Sequence, residues 1–316
     1  MNTTKSKLYT IKNNKIKFKK FIYALAPMAG VTDFAFRKIC ADYGADMVVT
    51  EMISLKALAN NSARTAQMLR EESNAITCCQ IFTHDQLAIE TALKKDLFKN
   101  FDIIDLNCGC PAPKIVKNND GSAMMRDLQK TQQIITSLVK NSNKPVSVKF
   151  RLGIDGNNNY IQFAKMCEEC GVSFITLHAR TKEQGYAGVV DKQAYQNIIK
   201  AVKIPVFWSG DIKTKQDCKF AQIIGCAGVM IGRAALGNPE IFSTLKQTRP
   251  PYSKKQAIQT HLNMLKTYFK TERTLVAYFK KHLMWYIKAI PNATSIKQQI
   301  LQFTLLKQIE EVLSSL

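Results

Sequence analysis

The sequence predicts an α/β protein, a closed (β/α)8 barrel followed by an all-helical C-terminal domain. Eight short apolar runs lie between Tyr23 and Met230, spaced by about 30 residues, and stretches of helical periodicity separate them. After Gly237-Asn238-Pro239 and Arg249-Pro250-Pro251-Tyr252 the strand signals stop. A doubly wound open sheet also uses βα units, but its GxGxxG turn is absent, which leaves the TIM barrel as the expected architecture.

The elements follow in order. Residues 1–20 form a basic arm in which Tyr9, Ile11, Ile16 and Phe18 are spaced for a β-ribbon on the lower face of the barrel. Strands are expected at 23–27, 47–50, 76–82, 102–107, 145–150, 173–178, 205–208 and 227–231, most of them with β-branched or aromatic content. Amphipathic helices are expected at 33–43, 86–98, 124–140, 160–170, 192–201 and 214–223, placed to shield an inner parallel barrel. The barrel domain is drawn at 21–244. A helical domain is drawn at 245–316, with spaced Leu, Ile, Tyr and Phe among Lys and Gln.

Composition narrows the function classes. With 46% hydrophobic residues the chain is not disordered, and no apolar run approaches the roughly 18 residues that span a bilayer. The Lys-rich start lacks a signal-peptide core, so a soluble, cytoplasmic protein is expected; a monomer is expected as the default, with nothing in the sequence fixing the oligomeric state. Nine cysteines, an odd number in so long a chain, suit reduced thiols better than a disulfide framework. The net charge of +21 calls for a polyanion, unless it reflects only a Lys-rich composition. Residues 1–20 carry seven Lys and no acid, and residues 246–316 carry twelve bases against three acids, which places nucleic acid on the flanks.

In such a barrel the chemistry sits where strands end. The first strand runs into Ala26-Pro27-Met28-Ala29-Gly30-Val31-Thr32-Asp33, either a small-residue bed for a flat ring or an ordinary turn with Asp33 at a helix start. The fourth gives Asp105-Leu106-Asn107-Cys108-Gly109-Cys110-Pro111, where a thiol between Gly and Pro is held at a bend as a proton donor or nucleophile. The two cysteines could also begin a metal site, yet no second pair has the right spacing, so no metal is expected. The fifth strand carries Lys149 and Arg151 on one face, and a buried lysine needs an anion, either a ring system or a carboxylate. His178 and Arg180 end the sixth strand with the same spacing. Ser209-Gly210-Asp211 and Gly232-Arg233 follow strands seven and eight, where barrels of this type bind phosphate.

Taken together, these blocks resemble the tRNA-dihydrouridine synthase family, flavoenzymes that reduce uridine in tRNA. The resemblance spans 23–316 and rests on A-P-M-A-G-V-T-D at 26–33, D-L-N-C-G-C-P-A-P-K at 105–114, V-K-F-R-L-G at 148–153, H-A-R-T at 178–181, S-G-D-I at 209–212 and M-I-G-R-A at 230–234. Lys281-His282-Leu283-Met284-Trp285-Tyr286 is similar to a segment of the bacterial DusB branch. The resemblance implies FMN as cofactor and NADPH as reductant. It implies that Pro27, Met28 and Ala29 cradle the flavin by backbone, that Gln80 and Lys149 bind its ring edge, and that His178 lies beside it. Ser209, Gly210, Asp211, Gly232 and Arg233 would take the ribityl phosphate, although Ser209 stands where the family usually has Asn. Cys110 matches the catalytic cysteine, Asn107 would hold the target uracil, Arg180 would line its pocket, and Lys281 would meet the tRNA. Two other readings use the same residues: an FMN-dependent oxidoreductase of a free pyrimidine, like dihydroorotate dehydrogenase, and a non-catalytic RNA-binding barrel.

Overall fold

The computed structural model describes residues 8–289 and 293–315. Eight parallel strands close a ring: β3 (Ile22–Leu25), β4 (Met47–Val49), β6 (Ile76–Phe82), β7 (Ile103–Cys108), β8 (Val146–Arg151), β9 (Phe174–His178), β10 (Val206–Ser209) and β11 (Gly228–Ile231). β11 returns to β3 with Ile231 opposite Leu25, and β4 pairs with β6, which completes the barrel. The expected fold is present strand for strand.

Alternation along the strands divides the core in two. Leu25, Val48, Ile104, Leu106, Val148, Ile175, Leu177 and Val229 point outward and are buried under Phe36, Ile39, Ile135, Phe163 and Tyr195 of the surrounding helices. Met47, Ile76, Ile103, Phe174, Phe207 and Met230 fill the lower interior. Each fully buried large side chain contributes about 1.5–3 kcal/mol relative to exposure.

Below them a hairpin, β1 (Tyr9–Lys12) and β2 (Lys15–Phe18), closes the floor. Its two-residue turn needs positive φ at both positions, and Asn13 and Asn14 supply φ of 50° and 56°. Phe18 sets its ring edge-on to Phe174 and Phe207 at 5.4 and 5.2 Å, while Leu8, Tyr9 and Ile16 join the lower core.

Side-chain caps fix the helix starts. Asp33 caps α1 (Phe34–Asp42), Asp85 caps α4 (Gln86–Lys94), Asp191 caps α8 (Lys192–Ala201) and Thr214 caps α9 (Lys215–Ile223). The helix expected at 124–140 begins instead at Leu128, because the Asp127 carboxylate accepts from the Lys130 amide, and α6 then runs to Asn141. The helix expected at 86–98 stops at Lys94, just before Asp96 turns left-handed. Between β4 and β6 lie a short strand β5 (Ile53–Ser54) and two five-residue helices, α2 (Leu55–Ala59) and α3 (Ala63–Gln67), too brief to show a period in sequence. The remaining barrel helices are α5 (Pro113–Lys117) and α7 (Tyr160–Glu169).

Helix α10 (Ile241–Lys246) straddles the expected start of the helical region and ties back to the barrel through Lys246, 2.7 Å from Asp46. Then come α11 (Lys254–Lys266), α12 (Glu272–Tyr286), α13 (Ala293–Gln302) and α14 (Leu306–Ser315). Leu262, Leu265, Phe279, Leu283 and Tyr286 are buried where α11 and α12 meet α1. Gly237 makes this close approach possible, since a Cβ there would sit 2.2 Å from the Trp285 carbonyl carbon. Among the described residues no helix is long and apolar enough to cross a membrane.

Candidate active site

The upper ends of the strands surround a cleft lined by Pro27 and Met28, by Lys149 and His178, by Ser209-Gly210-Asp211, by Gly232-Arg233 and by Tyr186. Parallel register brings them together: Lys149 pairs with Thr176, His178 with Ser209, and Ser209 with Met230. Five distant sequence blocks thus meet in one wall.

The cleft is electropositive. Lys149, Arg151, Arg180 and Arg233 crowd His178, and burial together with those cations lowers the imidazole to about 2, so the ring is neutral. Burial and the neighbouring Arg151 bring the Lys149 ammonium down to about 8. No carboxylate forms a salt bridge with Lys149 among the described residues, although Asp105 acts on it from a distance. Asp211 is tied to both Arg180 and Arg233, the latter at 2.7 Å, and carries a left-handed φ of 53° after Gly210. Below it Trp208 stacks on Tyr195 at 3.9 Å, and the Tyr195 hydroxyl donates to the Ser209 carbonyl at 2.7 Å. The loop is therefore held from beneath.

Cys110 lies on the next loop, half-buried. A hydrogen-bond chain positions it: Ser147 Oγ donates to Asp105 at 2.6 Å, Gln80 Nε2 to Asp105 at 2.8 Å, Asn107 Nδ2 to Gln80 Oε1 at 2.8 Å, and the Cys110 amide to Asn107 Oδ1 at 2.9 Å. Arg151 clamps the same loop by donating to the Gly109 carbonyl at 2.8 Å. Gly121, with φ of 61°, lets the neighbouring loop come close enough for the Ser122 amide to reach the Cys110 carbonyl at 3.0 Å. Burial raises the thiol above its ordinary value, more than the Ala112 backbone amide, Arg151 and Lys149 lower it, so it stays protonated at neutral pH.

Several expected residues lie elsewhere. Gln80 and Asn107 are buried and hold each other, so they orient the Cys110 loop and do not line the cleft. Arg180, expected to line the uracil pocket, is 1% exposed and donates to Asp211 and to the Ala187 and Gly188 carbonyls; it supports the Asp211 turn. Ala29 is exposed and outside the wall. Lys281 faces a second cleft between barrel and helices, with Gly30, Glu51 and Tyr278.

The family model described as Dihydrouridine synthase (Dus) matches residues 24–315. The chain belongs to the dihydrouridine synthase family. It is 33% identical to tRNA-dihydrouridine synthase B of Vibrio parahaemolyticus, over 92% of this chain and 91% of the relative. A probable tRNA-dihydrouridine synthase of Rickettsia conorii is 34% identical, with 86% of each chain covered. Among solved structures, TcOYE with pHBA superposes with a TM-score of 0.57 at 9% identity, covering 84% of this chain and 96% of that one; a variant of NCR from Zymomonas mobilis gives 0.51 at 13% identity over the same shares. Those two show the fold alone.

Some residues of the cleft and its supports were not marked by the motifs of this dihydrouridine synthase family member. Asp105 lies within a quoted motif, but its partner Ser147 was visible only as a small polar residue in an apolar strand. Tyr186, 61% exposed, lies in a loop and takes Arg233 and Arg151 over its ring at 5.0 and 5.7 Å. Nothing in its local sequence marks it.

Proposed function

We propose that this protein reduces uridine to 5,6-dihydrouridine in tRNA, with FMN in the upper cleft, NADPH as reductant and Cys110 as proton donor. One observation carries the reading: a thiol held protonated on a clamped loop, beside a lysine in the cleft that no carboxylate of the described residues pairs. The cleft suits FMN. Pro27 and Met28 offer a flat bed, and Lys149 offers its charge to an anionic ring edge. Ser209, Gly210, Asp211, Gly232 and Arg233 gather where a phosphate would sit. His178, neutral, can lie beside the ring without opposing Lys149.

When bound and reduced, FMN supplies the hydride that goes to carbon six of uracil. Cys110 Sγ–H then gives its proton to carbon five, and the thiolate left behind is stabilised by Lys149 and Arg151. Asn107 acts on this step through the Cys110 amide, and Arg180 acts on phosphate binding through Asp211. The target base must leave its stack to reach the cleft. In the second cleft Arg37, Arg64, Lys270 and Lys281 outnumber Asp33 and Glu51 and stand with Tyr268 and Phe269, a mainly basic and aromatic surface of the kind that holds RNA. By family resemblance the D-loop is the expected target.

The test is mass spectrometry of nuclease-digested, unmodified tRNA incubated with enzyme, FMN and NADPH. A gain of two hydrogens on uridine-containing fragments supports the proposal and names the position. NADPH consumption with free pyrimidines and none with tRNA would move the substrate to a small molecule. Protein that holds tRNA but no flavin would leave a binding role.

A further inference from the structure

Asp33, His261 and His282 meet where the first barrel loop joins the helical region, although 228 residues separate Asp33 from His261. Asp33 caps α1, while His261 projects from α11 and His282 from α12. All three are buried. His261 Nε2 lies 3.3 Å and His282 Nε2 3.2 Å from the same oxygen, Asp33 Oδ2, and the three candidate ligand atoms lie within 4.8 Å of one another. His282 Nε2 is buried and, although 3.2 Å from Asp33 Oδ2, has no hydrogen bond of ordinary geometry. A buried ring nitrogen this close to a carboxylate oxygen without a well-formed hydrogen bond can share a cation with it.

The surrounding groups fit that role. Tyr286 Oη stands 3.0 Å from His261 Nδ1, and a proton on Nδ1 donated to it turns the Nε2 lone pair toward Asp33. The Phe36 amide donates to Asp33 Oδ1 at 2.9 Å and the Tyr278 hydroxyl to Oδ2 at 3.2 Å, which orients the carboxylate. The second cleft, lined by Asp33, Glu51 and Tyr278, reaches the cluster and provides an entry path.

We propose that Asp33, His261 and His282 form a zinc site that staples α11 and α12 to the loop at residues 26–33. Bonds of about 2.0–2.1 Å place tetrahedral ligands about 3.3–3.4 Å apart and octahedral ones about 2.8–3.0 Å apart. The separations of 3.2 and 3.3 Å lie nearer the tetrahedral value. Two imidazoles and one carboxylate suit zinc, with water as the fourth ligand. None of the three lines the upper cleft, so the role is structural. The sequence weighed only cysteines for metal, whereas these ligands come from three elements that only the fold brings together.

The test uses the full chain, expressed without a polyhistidine tag, exposed to zinc and gel-filtered. Elemental analysis should find one zinc per chain, and none in His261→Gln or His282→Gln, with flavin content as a separate readout of folding. Cobalt(II) titration of the wild type should give the visible bands of a tetrahedral nitrogen and oxygen site without a thiolate charge-transfer band, a necessary control with nine free cysteines. Wild-type protein that binds no zinc, zinc that persists in both variants, or a thiolate-type cobalt spectrum would overturn the proposal. If the variants do not fold, the wild-type stoichiometry and cobalt spectrum decide between a metal site and a protonated Asp–His–His triad.

Discussion

At the scale of single residues, the environment of each group sets what it can do. Burial holds the Cys110 thiol protonated, which suits a donor and hinders a nucleophile. Cys110→Ala is expected to keep flavin and tRNA binding and to slow turnover about 100- to 10,000-fold, read by single-turnover reoxidation of reduced enzyme with tRNA. An unchanged rate would remove its role. Lys149 gives a pH test. Its ammonium, brought down to about 8, is charged below that pH and neutral above it, so FMN affinity should fall as pH rises through about 8. Lys149→Met should weaken FMN by roughly 10- to 100-fold at neutral pH and abolish this step, as fluorescence titration from about pH 7 to about pH 9.5 would show. That Lys149 and His178 gather at the upper strand ends was legible from their places in the strands, and Lys149 stands out because a buried ammonium is costly without a partner, whereas Cys110 is marked only by its place between Gly and Pro. Which partner each would choose was not legible. Gln80, Asn107 and Arg180 have donors enough for either a ligand or a neighbour, and the neighbours Asp105 and Asp211 are set by strand register and loop packing.

At the scale of elements, the strands were legible because each is a short apolar run flanked by turns, and the structure keeps all eight within a residue or two. Helix ends were less so: Asp127 and Asp96 decide them by a cap and a left-handed turn, local events that periodicity does not register. The hairpin shows what an element contributes to the whole. Phe18 fills the floor against Phe174 and Phe207, far from the upper cleft. Phe18→Ala should cost about 2–3 kcal/mol in denaturant unfolding and leave FMN affinity unchanged. A loss of flavin at full stability would mean that the floor acts on the site. Gly237 tests the other junction. Any side chain there meets the Trp285–Tyr286 backbone at a positive φ, so Gly237→Val should loosen α12 from the barrel, visible as proteolysis within residues 245–316 of an otherwise folded protein.

At the scale of the whole molecule, charge and shape together argue for a polyanion. The excess of +21 is concentrated at the two flanks, and the second cleft, between the barrel and the helices, is lined by Arg64, Lys270 and Lys281 beside Tyr268 and Phe269. Composition showed the charge, but not that residues 64, 270 and 281 converge, because that depends on how the helical region folds back over α1. A chain that is merely Lys-rich would bind tRNA through its general field, and reversing any few exposed cations would have a similar small effect. A specific groove behaves differently. Each phosphate neutralised contributes about 0.7–0.9 to the slope of log affinity against log salt. Arg64→Glu and Lys270→Glu combined should therefore lower that slope by about 1.4–1.8, whereas reversing Lys94 and Lys219, on barrel helices outside the cleft, should leave it nearly unchanged. Both pairs should retain normal flavin content, since neither lines the upper cleft. Equal effects from the two pairs would return the charge to a compositional origin.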